Sequence, residues 1–217
     1  AKTFSSFTYP RDLPLIIAAF RYRRYEMCPD EIWHVTDSFG GFLRRREAGL
    51  IYWAAHNWPA AGPVIELGSY EGCSTVIFAL AGRFVHAVDA WSMSIQDLSA
   101  YQNRGTPADT VFEQFLKNTR RAQVQSRISV HRGLTQEVSQ TWTTPCAILF
   151  VDAGHTYDDV RSDLHFWTPF LMSDGLLLMH DVIYDGFPGV TRAASELLRK
   201  GWRVIASADS LVALTRK

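Results

Sequence analysis

The sequence has no excess charge of either sign. Its 22 Lys and Arg balance 22 Asp and Glu, so composition points neither to a nucleic acid nor to an anionic membrane surface. It also has no long apolar run. The longest, Leu13–Phe20, is eight residues and contains Pro14, far short of the ~20 a membrane-spanning helix needs. Cysteine is scarce: Cys28, Cys73 and Cys146 are odd in number and widely spaced, which fits free thiols in a reducing cytoplasm better than a disulfide frame. No secretory leader is read at Ala1, and internal repeats and low-complexity tracts are missing. What is present is 47% apolar and 20% charged residues over 217 positions, the balance of a chain that buries one sizeable core.

From Val64 onward, short apolar runs alternate with helical patterns. The runs are Val64–Leu67, Phe84–Asp89, Ile128–Arg132, Cys146–Asp152 and Gly175–His180. Helices are expected over Ser74–Ala81, Asp109 to about Ala122, Asp158–Trp167, and from Pro188 to Gly201. Thr156 and Asp159 have capping-box spacing, which fixes where the third of these starts. Alternation of this kind argues for an α/β, doubly wound, mostly parallel sheet. Trp202–Ala206 and Leu211–Thr215 are joined by too few residues for a crossover helix, so they form an antiparallel hairpin at one end. The total is seven strands, six roughly parallel. Residues 1–62 read instead as two or three helices with a break at Gly40-Gly41. They form a helical cap on the same domain, residues 63–217 carrying the sheet.

In an open parallel sheet, ligands bind outside the carboxyl ends of the strands. Those ends carry Glu66-Leu67-Gly68, Asp89, Asp152 and His180-Asp181, four acidic positions on one edge. The first loop, Glu66 to Thr75, has glycines at 68 and 72 but neither a dinucleotide nor a triphosphate fingerprint. Asp89 falls where the second strand of such a fold offers a carboxylate to ribose hydroxyls.

With E-L-G-S-Y-E-G-C-S-T, H-A-V-D-A-W, F-V-D-A-G-H-T-Y-D-D-V and G-L-L-L-M-H-D-V in this order, the chain from Val64 to Thr215 resembles the class I S-adenosylmethionine-dependent methyltransferases, with their Rossmann-like fold. More narrowly it resembles small metal-dependent O-methyltransferases acting on sugar hydroxyls. The resemblance implies that Glu66, Gly68, Ser69, Tyr70 and Gly72 line the cofactor's methionine part and that Ser74 also binds the cofactor. It implies that Asp89 takes the ribose hydroxyls, Trp91 flanks the adenine and Leu134 packs at its edge. It also implies a divalent ion, Mg²⁺ or Mn²⁺, at Asp152, His180 and Asp181, with His155 as base. His180 departs from the carboxylate found there in the metal-dependent sugar enzymes, which favours softer ions such as Mn²⁺.

A sugar hydroxyl is a poor nucleophile, and a cation coordinating its oxygen lowers its pKa. His155, three residues after Asp152, would accept the proton. The expected partner is a small hydroxyl-bearing acceptor, most simply a sugar, and neither nucleic acid nor membrane. The aromatic-rich N-terminal segment (Phe20, Tyr22, Tyr25, Trp33, Phe39, Phe42) is suited equally to cap the subunit or to pair two in a homodimer. The Trp91–Pro107 stretch reads as a lid and Ile183–Phe187 as a second acceptor loop. Rival readings are a metal-free N- or phenol O-methyltransferase and a non-catalytic S-adenosylmethionine-binding protein.

Overall fold

The computed structural model describes residues 27–91 and 108–216. Seven strands form one sheet: β1 (Val64–Leu67), β2 (Val85–Asp89), β3 (Ile128–Arg132), β4 (Cys146–Val151), β5 (Leu171–Met179), β6 (Arg203–Ala208) and β7 (Leu211–Thr215). Their order is β3-β2-β1-β4-β5-β7-β6. The first five run parallel, and β7 is antiparallel to both of its neighbours, so six strands point one way. The short β6–β7 connection forces this reversal, as expected from its length.

β1 and β4 are buried at every position, the pattern of strands covered on both faces. The covering helices are α1 (Asp30–Thr36), α2 (Arg45–Asn57), α3 (Cys73–Leu80), α4 (Ala108–Arg121), α5 (Thr135–Ser139), α6 (Tyr157–Trp167) and α7 (Pro188–Arg199). On one face, Leu50, Ile51, Ala54 and Ala55 of α2 join Val76, Ile77 and Phe78 of α3 against Val64, Ile148 and Phe150. On the other, α6 and α7 bring Val160, Leu164, Val190 and Ala194 against Ile65, Leu67, Leu149 and Leu177. Residues 28–60 therefore share a core with the sheet.

The capping box at Thr156 and Asp159 is formed, and α6 starts one residue earlier than expected. β5 starts four residues before Gly175, because Leu171 pairs with Cys146 ahead of a register shift. The exposed Ser173 and Asp174 between them hide that start from an apolar pattern. Thr135–Ser139, a single helical turn, was not expected.

The chain winds outward from β1 through β2 to β3, then returns to the other side of β1 with β4. That reversal opens a crevice between the carboxyl ends of β1 and β4. Hydrogen bonds beyond the strands carry the ladder into it: Gly68 N donates to Val88 O, Asp152 N to Leu67 O, and His180 N to Val151 O. Strand register thus lines up the residues singled out at the four strand ends.

Candidate active site

A cavity of about 290 Å³ lies over this edge. Its wall includes Gly68, Ser69, Tyr70, Ser74, Asp89, Trp91, Leu134, Asp152, His155, His180 and Asp181. Of the five non-glycine residues with positive φ among the described residues, Tyr70, Trp91 and Asp181 are on it. The left-handed region costs a non-glycine residue roughly 1–2 kcal/mol, so something must hold these turns.

For the first two it is Asp89. Its Oδ2 accepts from Ser69 N at 2.7 Å and Tyr70 N at 2.9 Å, and its Oδ1 from Trp91 N at 2.6 Å. Burial raises the Asp89 carboxyl, and the same three amides oppose the rise. A carboxylate has about four acceptor positions, so one is left for a ligand hydroxyl. The amides of Ser69 and Tyr70 are correspondingly spoken for. Trp91 is buried against Phe112 and Phe115, and its Nε1 donates to Tyr70 O at 2.8 Å. Leu134, half exposed at the start of α5, forms the open side.

Two of the expected residues, Glu66 and Gly72, are not among those that line the cavity. Glu66 is 0% exposed and gathers the hydroxyls of Ser69 (2.7 Å), Ser74 (2.5 Å) and Thr75. Burial pushes its carboxyl up to about 7 against those three donors. Its part is to tie the loop to α3. Gly72, with φ 90°, is the N-cap of α3, and a Cβ there would press on the Phe115 ring. Gly68, with φ 83°, does reach the cavity, and a Cβ there would collide with the Asp152 carbonyl.

Two strands along the edge, the polar groups differ in kind. His180 Nδ1 lies 3.1 Å from Asp152 Oδ1 and 3.4 Å from Asp181 Oδ2. His155 Nε2 lies 3.3 Å from Asp181 Oδ2 and 3.9 Å from Asp152 Oδ1, its ring stacked on Phe187 at 4.1 Å. Ligand atoms of Asp152, His155 and Asp181 all fall within 4.8 Å of one another, a span that can hold a metal ion. Burial raises the Asp152 carboxyl. Asp181 is also buried, yet the His155 and His180 imidazoles beside it hold its carboxyl well below the ordinary carboxylate range. Burial disfavours charge on His180, but the Asp152 carboxylate outweighs it and holds this imidazole well above its ordinary value.

Several wall residues went unnoticed in the sequence. Gly40, Gly41, Phe42 and Leu43 from the cap line the cavity, and Gly40 N donates to Glu71 Oε2 at 2.8 Å. Asp163, buried beneath Thr135, is another. Of the expected lid, Trp91–Pro107, all but Trp91 lies outside the described residues, as do Phe20, Tyr22 and Tyr25 of the aromatic-rich segment.

Over residues 65–182, more than half its length, the sequence matches the family described as Methyltransferase domain. The chain belongs to that family. An uncharacterised protein of Sinorhizobium fredii, y4gI, is 24% identical to this methyltransferase domain over 156 residues. The match takes in 68% of this chain but 16% of that relative, so the chain spans about a sixth of its length. Among solved structures, the Podospora anserina methyltransferase PaMTH1, bound to S-adenosylhomocysteine, superposes with a TM-score of 0.65 at 13% identity. That superposition covers 99% of this chain and 100% of that one. CalS11, a TDP-rhamnose 3'-O-methyltransferase of calicheamicin biosynthesis, gives 0.55 at 16% identity over 94% and 92% of the two chains. At such identities the likeness is one of fold.

Proposed function

We propose that this methyltransferase domain transfers the methyl group of S-adenosylmethionine to a hydroxyl of a small acceptor, a sugar or saccharide. Asp152, His180 and Asp181 would hold a divalent cation beside that hydroxyl, and His155 would take its proton. Two carboxylates and two imidazoles converging on the cavity, two strands from the ribose-type carboxylate Asp89, carry this reading. CalS11's action on a deoxysugar within the same fold supports the acceptor class.

The donors are compatible with an ion: ligand atoms of Asp152, His155 and Asp181 lie within 4.8 Å of one another. His180 Nδ1 is 3.1 and 3.4 Å from the two carboxylates, near the ~3 Å that separates neighbouring donors in an octahedral site with bonds of ~2.1 Å. S-adenosylmethionine supplies a methyl group already activated on a sulfonium. A divalent ion supplies Lewis acidity that brings a hydroxyl's pKa toward neutrality. The chain supplies position. Asp89 fixes the loop and offers its last acceptor site to a ribose hydroxyl. Phe187 keeps the His155 ring in one plane, and the proton arriving at His155 Nε2 is stabilised by Asp181 at 3.3 Å. A metal-free phenol or amine methyltransferase is the second reading. It draws on His180, which as an imidazolium would itself offset the charge of Asp152 and Asp181.

Calorimetric titration of S-adenosylmethionine into chelator-treated protein, repeated with Mn²⁺, Mg²⁺ and a panel of nucleotide sugars, tests the proposal. Micromolar cofactor binding and metal-dependent heat with one sugar are expected. Cofactor binding with sugar heat indifferent to metal would favour the metal-free reading, and no cofactor binding would overturn both.

A further inference from the structure

Glu47 is a charge on the wrong side of its helix. It occupies the same face of α2 as Ile51, Ala54 and Ala55, and it is 1% exposed. A buried carboxylate is costly unless its acceptor positions are filled. Three are: Oε1 accepts from Ser210 N at 3.0 Å and Ser210 Oγ at 2.7 Å, and Oε2 from Arg44 N at 2.8 Å. The fourth position, on Oε2, lies 3.3 Å from His180 Nε2. That nitrogen is itself buried without an aligned hydrogen bond. Helix α2, the end of β5 and the β6–β7 turn thus meet at one carboxylate, on the far side of the His180 ring from Asp152 and Asp181.

We propose that Glu47 is a positioning residue of the active site: it accepts the Nε2–H of His180 and thereby turns Nδ1 toward Asp152 and Asp181. Which nitrogen of a histidine is offered to a reaction site is set by the hydrogen bond made by the other, and carboxylates behind metal-holding histidines commonly serve this purpose. The helical cap is then part of the catalytic apparatus. The orientation of His180 rests on contacts already described, and its consequence for a cation rests on the function proposed above.

A purely structural Glu47 would tolerate glutamine well, because one carbonyl oxygen still serves both Ser210 donors. Glutamine fails only toward Arg44 and His180, where its NH₂ would face N–H groups. The experiment uses the whole chain labelled with ¹⁵N-histidine, the His180 signals being assigned with His180→Gln. In the parent, His180 Nε2 should carry a proton protected from exchange with water. In Glu47→Gln that resonance should be lost or moved, and in Ser210→Ala, which leaves the Glu47–His180 contact in place, it should persist. Mn²⁺ affinity, read by paramagnetic resonance, should fall ~10–100-fold in Glu47→Gln, with S-adenosylmethionine affinity within about threefold of the parent. An unprotonated Nε2 in the parent, or an unmoved resonance in Glu47→Gln, overturns the proposal. Should Glu47→Gln not fold, the parent spectrum and Glu47→Asp, which withdraws the carboxylate by one methylene, decide it in the same way. If the parent binds no Mn²⁺ while the resonance still depends on Glu47, the positioning stands and the cation-holding role of Asp152, His180 and Asp181 falls.

Discussion

The loop after β1 and the His–Asp cluster share one cavity and are built on opposite plans. Around Glu66 and Asp89, carboxylates are consumed by the chain's own donors: three hydroxyls on one and three backbone amides on the other. Around Asp152, His155, His180 and Asp181, carboxylates and imidazoles face one another at 3.1–3.9 Å. A satisfied network fixes backbone shape, here two left-handed residues that shape a binding wall. A cluster of titratable groups facing one another can take up something that arrives, a proton or a cation. Buried polar groups in one cavity can therefore have unlike purposes, and the inventory of donors tells them apart.

Substitutions on either side should separate the two plans. The largest effect is expected for Asp152→Ala, which should reduce methyl transfer ~10³-fold or more while cofactor affinity stays within about threefold; a fast variant would remove the cluster from the chemistry. Asp89→Ala should do the reverse. Losing the acceptor of three amides and a ribose hydroxyl should weaken cofactor affinity ~100-fold, the equivalent of a charge-assisted hydrogen bond or two, and unchanged affinity in equilibrium dialysis would misassign the loop. Gly68→Ala joins the two regions. Its Cβ would meet the Asp152 carbonyl at a φ of 83°, so a loss of ~2–4 kcal/mol in denaturant unfolding is expected, and wild-type stability would show that the two strand ends are not held in contact.

Much of this was legible in the sequence, for a geometric reason. In a parallel sheet every strand delivers its last residue to the same edge, so Asp89, Asp152, His180 and Asp181 could be brought together from strand ends alone. The hairpin at the end of the sheet followed from a connection too short for a crossover. Burial of a strand-end side chain is not readable that way. Glu66 looked like a wall residue, although Ser69, Ser74 and Thr75, close by in sequence, were the donors that would enclose it. Glu47 was hidden for a different reason. Its partners Ser210 and His180 lie 163 and 133 positions away, and only an acid in register with Ile51, Ala54 and Ala55 hinted at a buried charge.

The smallest expected effect concerns the cofactor side again. Burial pushes the Asp163 carboxyl up to about 7, with the Thr135 hydroxyl opposing. A raised carboxyl is a stability cost that is absent below the unfolded-state pKa and complete above the folded one. Relative to the parent, Asp163→Asn should therefore gain stability as pH rises from ~4 to ~7, by a few kcal/mol at most. Thermal unfolding across that window checks the sign, and a pH-independent difference would show that the fold leaves the Asp163 carboxyl at its unfolded-state pKa.

The most direct test follows a labelled methyl group from S-adenosylmethionine into a panel of nucleotide sugars, phenols and amines, with and without chelator. Label appearing on a sugar hydroxyl, abolished by chelator and restored by Mn²⁺ or Mg²⁺, is the predicted result. Label on an amine or phenol at a rate indifferent to chelator would contradict it.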